Sequence, residues 1–549
     1  PLAIPATLQD SLMARLDRLA PVKEVAQLAA TLGRHFSHEL LAAVSRLDAS
    51  ALTAALARLL DAELIYRRGV PPDAAYEFKH ALVQDVAYGS MLRSKRAQLH
   101  REIADVLEER LPQVAGAKPE LLAHHLREAG LPARAVPYAV RAGDAAARRY
   151  ASVEARAHYQ AALEMAESLP PSAAASRLQI RAVVRLATVA LGREHFERDL
   201  ANLERARGLA ERAGSRLRLG QIHYWIGRTN YVLGRFDEAI DHAERALRIG
   251  EASGGRDEVT APPVNLLARV HCLRGESRQA SAYAARSAEQ MRKLGNAIEE
   301  AAINGVLAFA LGLHGRFAPA REAADRGIAL ARDLDHLPTL AAAFFFRGVV
   351  AGWYGRLEPA EADFEEALAL CARAGDAFRE YVARGWRGEA YLLAGRVDAA
   401  EEDLTRCLAL GDRIGTTFHR GAYQAFLAEA RLRHGDIEAA LRLGEDALRV
   451  ATATAQPWSR SIALRVTAET LLRTESPDLP RAENAVRTAI EIQNGRECLP
   501  DLARSHLVLG EVLAASGDRG GADAAFDVAR RMLDDMGIVR SRDAAPVLT

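Results

Sequence analysis

The stretch YEFKHALVQDVAY, from Tyr76 to Tyr88, places His80 where a two-residue alternation gives way to a helical pattern, with Asp85 shortly after it. A histidine at that join can donate a hydrogen bond to a phosphate, and the positive end of the helix dipole would add to the attraction. The structural alternative is that His80 satisfies backbone groups at the join while Phe78 and Tyr88 face the core. The histidine pair His124-His125 in PELLAHHLREAG offers a second candidate. Adjacent residues on a helix point about 100° apart, so joint metal ligation is not expected there. The sequence contains no G-x-x-x-x-G-K-[ST] loop, G-x-G-x-x-G, H-E-x-x-H or nucleophile elbow. The chain is therefore expected to bind no ATP through a P-loop, to hold no metal or cofactor of its own, and not to be an enzyme.

Composition excludes further classes. Among 549 residues, 72 basic side chains balance 72 acidic ones, so no net charge draws the chain to nucleic acid or membrane. Cys272, Cys371, Cys407 and Cys498 stand far apart with no CxxC pair, which fits reduced thiols in helices and a cytoplasmic location. The apolar run LAAAFFFRGVVAGWY from Leu340 is short and contains Arg347, so it reads as a buried helix and not a membrane span. The chain starts at Pro1 without methionine, from which we expect a piece of a longer protein.

The elements that would hold such residues follow from self-similarity. Gly234, Gly275, Gly315, Gly355, Gly395, Gly435 and Gly517 are each followed five residues later by an alanine: Ala239, Ala280, Ala320, Ala360, Ala400, Ala440 and Ala522. Ala482 fills the gap between the last two, its glycine replaced by Ser476-Pro477, and the spacing is 40 to 42 throughout. Such a unit reads as a helical hairpin. The glycine ends helix A in a left-handed cap. The alanine lets helix B approach closely, and a second small residue two turns on (Ala246, Ala367, Cys407, Ala447, Ala489, Ala529) lines the same face. Each hairpin leaves a face unburied, so the units must stack. The fold class is thus all-α, a right-handed superhelical solenoid of helical hairpins. We expect it over 116–540, with less regular hairpins over 116–215, regular ones over 216–540, and a disordered tail over 541–549.

Residues 1–115 lack the repeat. Helical periodicity runs through LQDSLMARLDRL, VKEVAQLAATLG and SHELLAAVS, and Asp48 or Ser50 caps a further helix, ALTAALARLLDAEL. LIYRR, the turn VPPDA and AYEFK then form a hairpin, with Leu64, Tyr66, Tyr76 and Phe78 at two-residue spacing. Helices followed by a hairpin make a winged helix. Its candidate recognition helix carries only Arg58 against Asp61 and Glu63, and 14 Lys/Arg balance 14 Asp/Glu over 1–115, so nucleic acid is not the expected partner.

Two resemblances add to this reading. Gly227, Gly348, Gly388 and Gly510 stand where the tetratricopeptide repeat has its helix A glycine, and Phe236, Phe317 and Leu357 where it has the large residue opening helix B. The period of about 40 exceeds that motif's usual length. Residues 4–145, through IPATLQDSLMARLDRLAP, LGRHFSHELLAAVS, the Tyr76–Tyr88 stretch and PELLAHHLREAG, resemble the segment after the ATPase core of bacterial STAND-type signalling ATPases, in particular those fused to a class III adenylate/guanylate cyclase. This resemblance implies an upstream domain that binds ATP or ADP. It is also similar to NOD-like receptors, whose winged-helix histidine contacts the β-phosphate of ADP, and Phe78, His80, Asp85 and Tyr88 match that pattern. Projecting the tetratricopeptide ligand positions gives a partner groove of Tyr224, Arg228, Tyr231, Asn265, Arg269, Phe309, Phe345, Glu389 and Glu429, with Glu511 beyond, running from basic-aromatic to acidic. The equally weighted alternative is that its aromatic residues are inter-repeat packing. The expected function is a protein- or peptide-binding sensor arm that gates its own upstream ATPase and, through it, a cyclase. The alternatives are the arm of a STAND-type transcriptional activator or a free-standing tetratricopeptide scaffold.

Overall fold

The computed structural model describes residues 22–149, 151–189 and 193–538. The helix expected over LQDSLMARLDRL and the tail expected over 541–549 lie outside the described residues. The chain divides into two compact units, Pro1–Ser215 and Arg216–Thr549.

The first unit begins with α1 (Lys23–Leu32), β1 (His35–Ser37), α2 (His38–Val44), α3 (Ala49–Asp61), β2 (Ile65–Arg68), β3 (Ala75–Phe78), α4 (Ala81–Gly89) and α5 (Arg93–Glu109). Asp48 caps α3, its carboxylate accepting from the Ser50 and Ala51 amides. The hairpin forms as expected, with β3 paired antiparallel to β2, and β1 adds a third strand on the other edge of β3. That third strand was not foreseen, because three residues, HFS, are too short to show a period. Register also corrects one side-chain assignment. Ile65 pairs with Phe78 and Tyr66 with Glu77, so Ile65 is buried and Tyr66 faces solvent beneath the Lys79 ammonium. Helices α6 (Pro112–Ala117), α7 (Pro119–Glu128), α8 (Pro132–Arg148), α9 (Ser152–Glu167), α10 (Ala173–Ala187) and α11 (Arg193–Arg212) complete this unit.

The second unit is a tetratricopeptide-like solenoid of stacked hairpins: α12 (Arg216–Leu233) with α13 (Phe236–Ala252), α14 (Asp257–Leu273) with α15 (Ser277–Lys293), α16 (Ala297–Leu313) with α17 (Phe317–Asp333), α18 (Leu337–Trp353) with α19 (Leu357–Ala374), α20 (Ala377–Leu393) with α21 (Val397–Ile414), α22 (Arg420–Arg433) with α23 (Ile437–Ala453), α24 (Pro457–Leu472) with α25 (Leu479–Arg496), and α26 (Leu499–Ala515) with α27 (Arg519–Asp535). All seven register glycines have φ between 73° and 89°, the left-handed region in which a side chain is strained. All eight register alanines are buried. The helix A glycines are needed for close approach: a Cβ at Gly227 would lie 3.0 Å from the Ala239 carbonyl oxygen and 3.2 Å from the Ala243 amide nitrogen. The apolar run around Phe344 forms α18. No helix among the described residues is long and apolar enough to cross a membrane.

This superhelix closes on itself. At the start of α15, Ser277 Oγ donates toward the Arg496 and Glu497 carbonyls at 3.2 and 3.1 Å. Cys498 Sγ donates to the Gly275 carbonyl, and Arg496 Nε to that of Arg274, each at 3.1 Å. Arg278 and Glu497 form an ion pair of 2.7 Å across the same junction. The turn before α15 thus meets the turn before α26, five hairpins later.

Candidate partner-binding site

In the first unit, three backbone bonds span the join before α4. The Phe78 amide donates to the Arg34 carbonyl, that of Lys79 to Leu64, and that of Val83 to His80. His80 sits in extended conformation at the N-cap, exposed, and its side chain makes no capping hydrogen bond. Asp85 is exposed as well, whereas Phe78 is buried and the half-buried Tyr88 hydroxyl lies 2.9 Å from His100 Nε2. The His80 side chain thus caps nothing, while the buried Phe78 is what the structural alternative expects.

The nine projected groove residues fall into two groups. Tyr224 and Tyr231 on α12 are half-buried and Arg228 is exposed, its guanidinium 5.6 Å from the Trp225 ring centre. Burial pushes the Tyr231 hydroxyl up, opposed by the Arg269 and Arg228 charges. On α14, Arg269 Nε donates to Asn265 Oδ1 at 2.8 Å and its guanidinium pairs with Glu299 at 3.3 Å. These five residues form a partly exposed basic-aromatic surface, with Arg269 already neutralised by its glutamate.

The other four correct the expectation of one continuous open groove. Phe309, Phe345, Glu389 and Glu429 are 2%, 5%, 4% and 5% exposed. The Phe309 ring is met by Trp353 at 5.0 Å, Trp386 at 5.3 Å and Trp458 at 5.7 Å, and Trp386 stacks on Trp458 at 5.6 Å. Phe345 lies against Phe346 at 4.3 Å. Glu389 accepts from Trp353 Nε1 at 2.8 Å and from Arg504 at 3.0 Å. Glu429 accepts from Arg465 at 3.0 Å and also from Arg433. Trp458 Nε1 donates to Asp501 at 2.8 Å. The physical reason is curvature: once the hairpins close into a ring, inner-face side chains of α16, α18, α20, α22, α24 and α26 meet across the axis and fill it. For Phe309 this is the packing alternative, and Phe345 is buried with it. Sequence reasoning passed over Trp386, Trp458, Arg465 and Arg504, whose one signal is a large or charged residue near the projected positions.

Charge inside this closed interior is matched. Burial pushes the Glu429 carboxyl up, but the Arg465 and Arg433 guanidiniums outweigh it and hold the group low, at about 2. Burial wins at Glu389, which is raised despite Arg504. Glu429 therefore serves as an internal counter-ion.

The tetratricopeptide repeat family matches residues 218–293. An uncharacterized protein of Rhizobium meliloti (strain 1021) is 32% identical over 182 residues, covering 33% of this chain and 18% of the relative. The chain thus spans less than a fifth of the curated relative it matches. Among solved structures, a Rap protein complexed with Competence and Sporulation Factor aligns at TM-score 0.47 and 12% identity, over 74% of this chain and 99% of that one. A STAND protein with a tetratricopeptide repeat sensor from Pyrococcus horikoshii aligns at TM-score 0.35 and 12% identity, over 94% of this chain and 64% of that one. The apo quorum sensor NprR from B. thuringiensis aligns at TM-score 0.40 and 12% identity, over 62% and 97%.

Proposed function

We propose that this chain is the regulatory arm of a larger signal-transduction ATPase. In this reading α1 to α3 with the β2–β3 hairpin form a winged helix beside an upstream nucleotide-binding domain, and the second unit is the sensor. The observation that carries it is His80, an exposed imidazole at the start of a helix, with no capping role, between the buried Phe78 and the anchored Tyr88. Such a group is free to donate to the phosphate of ADP bound upstream and to hold the protein closed. A partner engaging the solenoid would shift the population toward an open state, with a nucleotide cyclase as the output. Because the interior from α16 onward is filled, the partner or peptide docks on the surface of Tyr224, Arg228, Tyr231 and Arg269.

The test uses the intact parent protein. His80→Ala should speed loss of bound ADP by about tenfold or more, the worth of one hydrogen bond to a charged group, and raise basal output. Unchanged nucleotide retention and basal output would overturn the reading.

A further inference from the structure

Three histidines of the first unit converge where α5 faces α7. His100 on α5 and His125 on α7 are 1% and 0% exposed, and His124 is exposed. Their ring centres form a near-equilateral triangle: His100–His125 5.0 Å, His124–His125 5.4 Å and His100–His124 5.6 Å. One ring nitrogen from each lies within 4.8 Å of the other two. The spacing argument against the adjacent pair therefore fails, because the third imidazole comes from a neighbouring helix and sits between the diverging two. With zinc–nitrogen bonds of about 2.0–2.1 Å, imidazoles on one tetrahedral ion have ring centres roughly 5.2 Å apart, which the triangle already matches.

Protein groups alone leave the cluster unsatisfied. Nδ1 of His100 lies 2.8 Å from Nδ1 of His125, so one of the two must donate and the other accept. Whichever ring carries that hydrogen, Nε2 of His125 is buried without a partner. Tyr88 Oη stands 2.9 Å from His100 Nε2, the outer contact that fixes the tautomer and aim of a ligating histidine. Of the charged groups felt by the cluster, Glu128 favours a cation and Arg96 and Arg127 oppose it.

We infer that His100, His124 and His125 form a binding site for a divalent metal ion of the zinc class, with the fourth position open to solvent beside the exposed His124. The ion would tie α5 to α7.

The experiment is a Co²⁺ titration of the tag-free, chelator-stripped full chain, followed by Zn²⁺ displacement. It should give one ion per chain and the visible bands of tetrahedral cobalt, removed by stoichiometric zinc. His124→Ala, exposed and so expected to leave the metal-free melting temperature unchanged, should weaken binding at least 100-fold. Tyr88→Phe should weaken it about tenfold while leaving the stoichiometry at one. Absence of a tetrahedral cobalt spectrum in the wild-type chain, or His124→Ala binding as tightly as wild type, would overturn the site.

Discussion

Residues define the closed interior through a few buried charges. Arg465 and Glu429 are 4% and 5% exposed, and form an ion pair of 3.0 Å. Arg465 also pairs with Glu469 at 3.6 Å and Glu429 also accepts from Arg433, so Arg465→Met takes one cation from two largely buried carboxylates and should cost about 3–5 kcal/mol, and adding Glu429→Leu, which removes one of those carboxylates, should recover part of the loss. Urea unfolding followed by tryptophan fluorescence would show this. The pH dependence has a fixed sign. Glu429 is held below its ordinary 4.5, at about 2, so its ionisation stabilises the fold above pH 4.5 and that contribution fades as pH falls toward 2. The advantage of the wild-type chain over Glu429→Gln should accordingly be full at neutral pH and shrink across that window. None of these partners was legible in the sequence: Glu389 and Glu429 stand at projected ligand positions, and only the fold shows that Arg504 and Arg465 reach them. His80 is the opposite case, since its place at a strand–helix join was readable from the change of period alone.

At the scale of the helical hairpin, local chemistry is enough. A glycine that must adopt positive φ and an alanine that must admit a backbone leave a register visible without any structure, and Gly395 at φ 77° and Ala400 at 0% exposure fulfil both demands. Ala400→Leu should overpack the pair α20–α21 and cost about 1–3 kcal/mol. Ala399→Leu, half-buried and one position off the register, should be milder, and equal shifts in thermal unfolding would undo the register. Elements without such a constraint were harder to read. β1 spans three residues and owes its pairing to β3, forty residues away in sequence, while Tyr66 and Ile65 exchange faces because both Leu64 and Ile65 are buried.

At the scale of the second unit, closure depends on contacts 219 to 223 residues apart, between the turn at Arg274–Arg278 and the turn at Arg496–Cys498. Superhelical pitch brings these together, and a pattern that repeats every forty residues says nothing of pitch. That is why the groove projected from the repeats is open at α12 and α14 and filled from α16 onward. Filling also fixes where a partner can dock, and this is the central claim. Tryptophan accessibility tests it most directly. In a Trp225→Phe chain the remaining tryptophans, Trp353, Trp386 and Trp458, are 4%, 2% and 1% exposed. Acrylamide should quench their fluorescence only weakly, as for a buried indole, and adding back Trp225 should introduce a readily quenched fraction. Strong quenching of the three interior tryptophans in the folded chain would mean an open groove and would contradict the account.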